Sequence, residues 1–237
     1  MSNKKKQRKR GWGRRIVRMI LKFLVYGFLL SILYIFLCKW IYPPITITQI
    51  GSVLSGNGLK REYVSMDEIS ENMKLAVIAG EDQLFPDHNG FDFKSIQKAR
   101  KHNQKSKSLR GASTISQQVA KNVFLWQHGG YFRKGLEVYF TFMIEKMWDK
   151  KRILAMYLNV AETGKGIFGV EAAAKHYFKK PAKNLSRKEA AQIAACLPNP
   201  KLFTISPLSK RVATRYPWII RQMNYLKKDP DIKALLD

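Results

Sequence analysis

The sequence predicts a mostly α-helical domain carried behind one N-terminal transmembrane helix. Three observations predict this class. Residues 23–38, "FLVYGFLLSILYIFLC", hold no charge and follow a stretch, residues 1–22, with ten basic side chains and no acid. Beyond residue 65, apolar positions recur at helical spacing behind Ser/Thr-x-x-Glu/Gln capping signatures. Strand-like alternation is confined to 45–54.

The apolar run is shorter than the ~20 residues a spanning helix needs. Apolar residues at 16–17, 19–21 and 41 extend it, and Lys22 and Lys39 can snorkel from its ends. No small-x-small cleavage site follows, so the run reads as a retained anchor rather than a signal peptide. The basic tail places the N-terminus in the cytoplasm by the positive-inside rule. The expected organisation is a basic cytoplasmic tail (1–18), an anchor (19–42), a linker rich in Pro, Gly and β-branched residues (43–64), and a folded domain (65–237).

Charge narrows the partners. The chain has 237 residues, 43 Lys and Arg against 17 Asp and Glu, and a net charge of +26. Residues 23–237 still hold 33 basic against 17 acidic side chains. The folded part therefore faces something anionic. A domain outside the cytoplasm excludes nucleic acid and leaves lipid head groups or a phosphorylated substrate. Two cysteines, Cys38 and Cys196, form no disulfide framework, and the four histidines have no metal-ligand spacing.

Within the domain, Ser65-x-x-Glu68 opens a helix that ends at Gly80. Helices are expected at 91–101, 114–125, 131–148, 150–160, 169–178, from the Ser186-x-x-Glu189 cap to "PNP" at 198–200, and at 211–227. Residues 102–111 read as a polar, basic loop. Ser95-x-x-Lys98 matches an acyl-transfer motif, but it sits in an amphipathic helix and its companion K-T-G is absent.

Three stretches carry chemistry. "EDQLFPDHNG" (81–90) sets two carboxylates where a hydrophobic helix stops. "RGASTISQQVAKN" (110–122) starts a helix with hydroxyls, amides and Lys121; Ser113, Gln117 and Lys121 share one face at i, i+4, i+8. A helix start of this kind suits a phosphate or a sugar. "RKGLE" (133–137) pairs Arg133 with Glu137 at i, i+4.

These stretches, followed by K-x-R-I-L-x-x-Y-L-N (150–159), resemble in order and spacing the motifs of peptidoglycan glycosyltransferases. That is glycosyltransferase family 51, the domains of class A penicillin-binding proteins and their single-domain relatives. "RGASTISQQ", "FGVEAAAKHYF" and "RVATRYPWIIRQMNYL" look most like the monofunctional branch of Gram-negative bacteria. Gly111-Ala112 stands where bifunctional members commonly have Gly-Gly.

The resemblance implies a lysozyme-like, two-lobed glycosyltransferase in the inner membrane, single-pass, with its catalytic domain periplasmic. It implies polymerisation of lipid II, a disaccharide on a polyprenyl diphosphate, into β-1,4-linked glycan for the cell wall. Lipid II and the growing lipid-linked glycan are the substrates, and other wall-synthesis or division proteins are candidate partners. Glu81 and Glu137 are the catalytic candidates, with Glu81 as the base. Lys121, Arg133, Ser113, Gln117, Gln118 and Arg110 are the substrate-binding candidates. No cofactor is obligatory. Glu137 either orients the cations or holds a divalent metal, magnesium or manganese. Asp82 is expected to brace its turn. The aromatic stretch 122–132 is either core or a lipid-contacting surface. Two other readings share these residues: a lysozyme-like lytic enzyme that cleaves glycan, and an inactive scaffold of a wall-synthesis complex.

Overall fold

The computed structural model describes residues 2–106, 111–127 and 129–236, with side chains from residue 12 onward. The chain divides into two units, Met1–Ile41 and Tyr42–Asp237.

The first unit is one helix, α1 (Ser2–Leu37). Its segment Trp12–Leu37, 26 residues, is long and apolar enough to cross a membrane. Phe23, Leu24 and Tyr26 expose most of their surface, which is the pattern of a lipid-facing helix and not of a core helix. The helix starts earlier and stops sooner than the 19–42 anchor. Turns occupy 38–41, and Pro43 disfavours helical backbone at Tyr42.

Residues 43–64 are not an extended linker. Thr46 and Gln49 form a capping box that opens α2 (Ile47–Leu54), and Thr46, Thr48, Gln49 and Ser52 are buried. The alternation read as strand-like is thus a short amphipathic helix. Chain from this stretch also supplies β1 (Lys60–Arg61).

Ser65 and Glu68 do form a capping box, but around one 3-10 turn, Met66–Glu68; Ser70 caps the helix proper, α3 (Glu71–Glu81). α4 (Phe93–Lys105) runs into the region expected as loop. α5 (Ile115–Phe124), α6 (Tyr131–Met147) and α7 (Lys150–Val160) lie where helical spacing puts them. The glycine-rich turn is a hairpin, β2 (Glu162–Gly164) and β3 (Ile167–Phe168). β1 joins it in parallel, Lys60 opposite Ile167, giving the order β1-β3-β2. Gly166 has φ +71°, and a Cβ there would lie 2.0 Å from the Asn57 carbonyl oxygen, so this crossing requires glycine. α8 (Val170–Ala173) continues as a π-helical turn, Ala174–Phe178. Then come α9 (Arg187–Cys196), α10 (Lys210–Leu226) and α11 (Pro230–Leu236).

Two packings position the site. α3 lies against α9 and α10; α5 lies against α6 and α7. α3 is buried from Met73 to Ala79 almost without interruption. The aromatic stretch is split: Val123, Phe124 and Leu125 are core, and Trp126, Tyr131 and Phe132 are exposed. Cys38 and Cys196 are both buried, and neither is in a disulfide.

Candidate active site

Glu81 is the last residue of α3, and Asp82 caps it. The helix therefore delivers both carboxylates to one point, and their hydrogen-bond partners separate their fates. Asp82 is fully engaged. His88 Nδ1 accepts from the Gly90 N–H at 3.1 Å, so its proton sits on Nε2 and is donated to Asp82 at 3.0 Å. The Ile115 N–H, in the first turn of α5, donates to Asp82 Oδ2 at 2.9 Å. A carboxylate at a helix N-terminus meets unpaired N–H groups and the positive end of the dipole. Gly90 closes the turn at φ +85°, where a Cβ would meet Thr141 at 2.7 Å. Asp82 and His88 thus tie the 82–90 turn to α5. Asp82→Asn removes this charge and is expected to cost about 1–3 kcal/mol of stability, with activity per folded molecule largely kept. Thermal melts beside active-site titration check it.

Glu81 is held differently. Gln118 donates from Nε2 to Glu81 Oε2 at 2.8 Å, and the Tyr157 hydroxyl donates to Gln118 Oε1 at 3.1 Å. Glu81 Oε1 is buried and accepts no hydrogen bond; its nearest cation is Arg215, at 3.6 Å. Burial pushes the Glu81 carboxyl above its ordinary value, against the opposing pull of Gln118, Arg215 and Lys121.

The cations come from α5 and α6. Lys121 is pushed below the usual lysine range, chiefly by burial; Arg133 and Lys134 add to that and Glu137 opposes it. Arg133 donates to Glu137 Oε2 at 2.9 Å, and Lys134 bonds Oε1. Arg133 Nε is buried without a partner. Both Glu137 oxygens are thus committed to cations. A divalent ion there would displace one of them, and no group of three His, Cys, Asp or Glu that could hold a metal exists among the described residues. Glu137 is a carboxylate held between two cations.

The other expected site residues are placed as follows. Gln118 reaches Glu81. Gln117 turns away, because its carboxamide oxygen accepts from the Thr114 N–H and closes the capping box. Ser113 precedes the Thr114 cap, so it does not lie on the helix face with Gln117 and Lys121. Arg110 lies outside the described residues. Ser95 sits in the first turn of α4, its N–H bonded to Asp92.

Two residues near Glu81 escape sequence reasoning. Tyr157 is 1 % exposed inside α7, and its motif position reads as core. Arg215 belongs to the stripe Val212, Arg215, Ile219, Met223, whose other members are buried. An arginine at an apolar position of an amphipathic helix was the available signal.

A buried carboxylate with one unbonded oxygen, acted on by Arg215 and Lys121 in a helical domain, suits group transfer from an anionic substrate. The chain belongs to the transglycosylase family, whose model matches residues 47–224. Relatives named biosynthetic peptidoglycan transglycosylase are similar along most of it. The Mannheimia succiniciproducens protein is 57% identical over 172 residues, 70% of each chain. That of Yersinia pseudotuberculosis is 50% identical over 219 residues, 91% of this chain and 90% of its own. The Aeromonas hydrophila protein is 46% identical over 217 residues, 90% of this chain and 92% of its own.

Proposed function

We propose that this chain is a peptidoglycan glycosyltransferase that polymerises lipid II into glycan strands, with Glu81 as general base. The observation that carries the proposal is the pair of Glu81 oxygens. Gln118 fixes Oε2, and Oε1 is buried with no donor of its own. An acceptor hydroxyl supplies that donor.

The chemistry follows from the substrate. A sugar hydroxyl is a weak nucleophile at neutral pH and needs a base within hydrogen-bond reach. The acceptor's 4-hydroxyl oxygen attacks C1 of the donor's muramic sugar and its proton passes to Glu81. The bond from C1 to the pyrophosphate oxygen breaks on the opposite face, so the new β-1,4 link forms with inversion and polyprenyl diphosphate departs. The leaving group is already an anion. It needs cations, which Lys121 and Arg133 supply, and no acid to protonate it. A lytic enzyme must protonate its leaving oxygen and has no pyrophosphate for these cations to hold. Glu137 acts by spacing Arg133 and Lys134.

α1 anchors the domain beside lipid-borne substrates, N-terminus in the cytoplasm and domain in the periplasm of the inner membrane. A reporter fused after Asp237 is expected to be active only outside the cytoplasm; cytoplasmic activity rejects this orientation. No metal is required for charge balance in this scheme, so chelation is expected to leave turnover within a few-fold. Turnover abolished by chelator and restored by manganese or magnesium contradicts it.

The function is tested by incubating the detergent-solubilised full chain with labelled lipid II. The expected product is long glycan that lysozyme digests. No polymer, or shortening of glycan supplied ready-made, overturns the proposal.

A further inference from the structure

Six groups face the Glu81 carboxylate, from five elements. Asp82 follows it on its own helix end, Gln118 and Lys121 come from α5, Tyr157 from α7, Cys196 from α9 and Arg215 from α10. Tyr157 and Cys196 are buried, and both are held neutral, pushed above their ordinary ranges by burial and by Glu81 itself. Gln118 carries no charge. The cations are Arg215 and Lys121, and Arg215 pulls harder on the carboxylate.

Arg215 is unusually placed for a cation. It occupies the buried stripe of α10 and its side chain is 23 % exposed. One terminal nitrogen donates to the Gly80 carbonyl at 2.8 Å and lies 3.6 Å from Glu81 Oε1. That carbonyl belongs to the last turn of α3, where carbonyls lack helical partners and the dipole is negative. Nε is buried without a partner, and the guanidinium stands 6.0 Å from the Trp218 ring. Gly80 permits this approach: a Cβ there would crowd Ile219, one turn beyond Arg215, at 3.3 Å. A partly buried arginine with an unpartnered Nε is favourable only where its charge is used.

We infer that Arg215 is the positioning residue of the base: it pins the end of α3 through the Gly80 carbonyl and keeps Glu81 ionised from the Oε1 side. The contact is longer than a hydrogen bond, so Oε1 remains open to an acceptor hydroxyl while the charge next to it is balanced. Lys121 stays available to the leaving group. This inference rests on Glu81 acting as base.

The test compares pH profiles of kcat/KM on lipid II for wild type, Arg215→Gln, Arg215→Lys and Glu81→Gln, all full-length. Glutamine keeps a donor for the Gly80 carbonyl and removes the charge; lysine keeps the charge. In Arg215→Gln the acid limb is expected to move to higher pH, because a carboxylate without its cation takes a proton more readily. At a pH on the wild-type limb, kcat/KM relative to its own plateau falls about tenfold further than in wild type. Arg215→Lys is expected to hold the limb near its wild-type place. If glutamine prevents folding, Arg215→Met gives the same neutral readout, since methionine suits the apolar stripe. An unmoved limb in the folded neutral variant, or equal movement in the lysine variant, overturns the inference while Glu81→Gln remains inactive. Full turnover in Glu81→Gln instead removes the reading on which it rests.

Discussion

Glu81→Gln is expected to lower glycan polymerisation by about 10²–10⁴-fold, the usual worth of a positioned general base. Glutamine keeps the size and the contact with Gln118 but cannot take a proton. Stability is expected to move the other way. Burial raises the Glu81 pKa in the folded domain, so the folded state binds this proton more readily than the unfolded chain. Stability tied to this group therefore falls as pH rises from its ordinary value through its folded one, and at neutral pH the ionised carboxylate is a cost. Glutamine removes that cost. The melting temperature of Glu81→Gln is expected to equal or exceed that of wild type at pH 7, with the margin shrinking towards pH 4. A variant that is both inactive and less stable at pH 7 makes Glu81 a structural carboxylate. Asp82→Asn supplies the contrast, because it loses stability first.

Lys121→Met is expected to carry the second large effect. The side chain is desolvated beside Glu137, Arg133 and Lys134, and a charge-assisted contact to a pyrophosphate is worth about 1.5–3 kcal/mol. That corresponds to roughly 10–150-fold in kcat/KM and a similar loss of affinity for pyrophosphate-bearing inhibitors. Here too the sign on stability separates function from scaffolding. A lysine whose pKa is lowered by burial destabilises the fold while protonated, so methionine is expected to leave the melting temperature unchanged or higher at neutral pH. Arg133→Ala is the less clean probe. It strips Glu137 of one of its two partners, and a buried carboxylate left short of its cation costs stability by itself. Inhibitor affinity unchanged in both variants assigns the pyrophosphate to other side chains.

Much of the site is legible in sequence where a local rule acts. The Thr114–Gln117 capping box fixes the start of α5 from four residues, and that start sets Gln118 and Lys121 on their turns. The same rule explains one misplacement: the oxygen that makes Gln117 a cap takes it off the ligand face. Gly80 marks the end of α3 to within one residue, but apart from the nearby His88 the partners that separate the roles of Glu81 and Asp82 lie 33 to 134 residues away. Nothing near position 81 announces the Ile115 N–H or the Arg215 guanidinium. Residues 43–64 show a different failure. Prolines and glycines make the segment look like a tether, yet Thr46-x-x-Gln49 is a capping box of the same kind as at 114, and what folds it is pairing of Lys60 and Arg61 with β3, a contact about 107 residues distant.

The pH–rate profile of kcat/KM on lipid II tests the role of Glu81 most directly, since it reports the essential base of the free enzyme. Activity requires Glu81 ionised and Lys121 protonated, and burial moves the first up and the second down. The expected curve is a narrowed bell, its acid limb above the ordinary glutamate value of about 4.3, and that limb is absent from whatever activity Glu81→Gln retains. An acid limb at the ordinary carboxylate value, or one that survives in Glu81→Gln, contradicts Glu81 as the base.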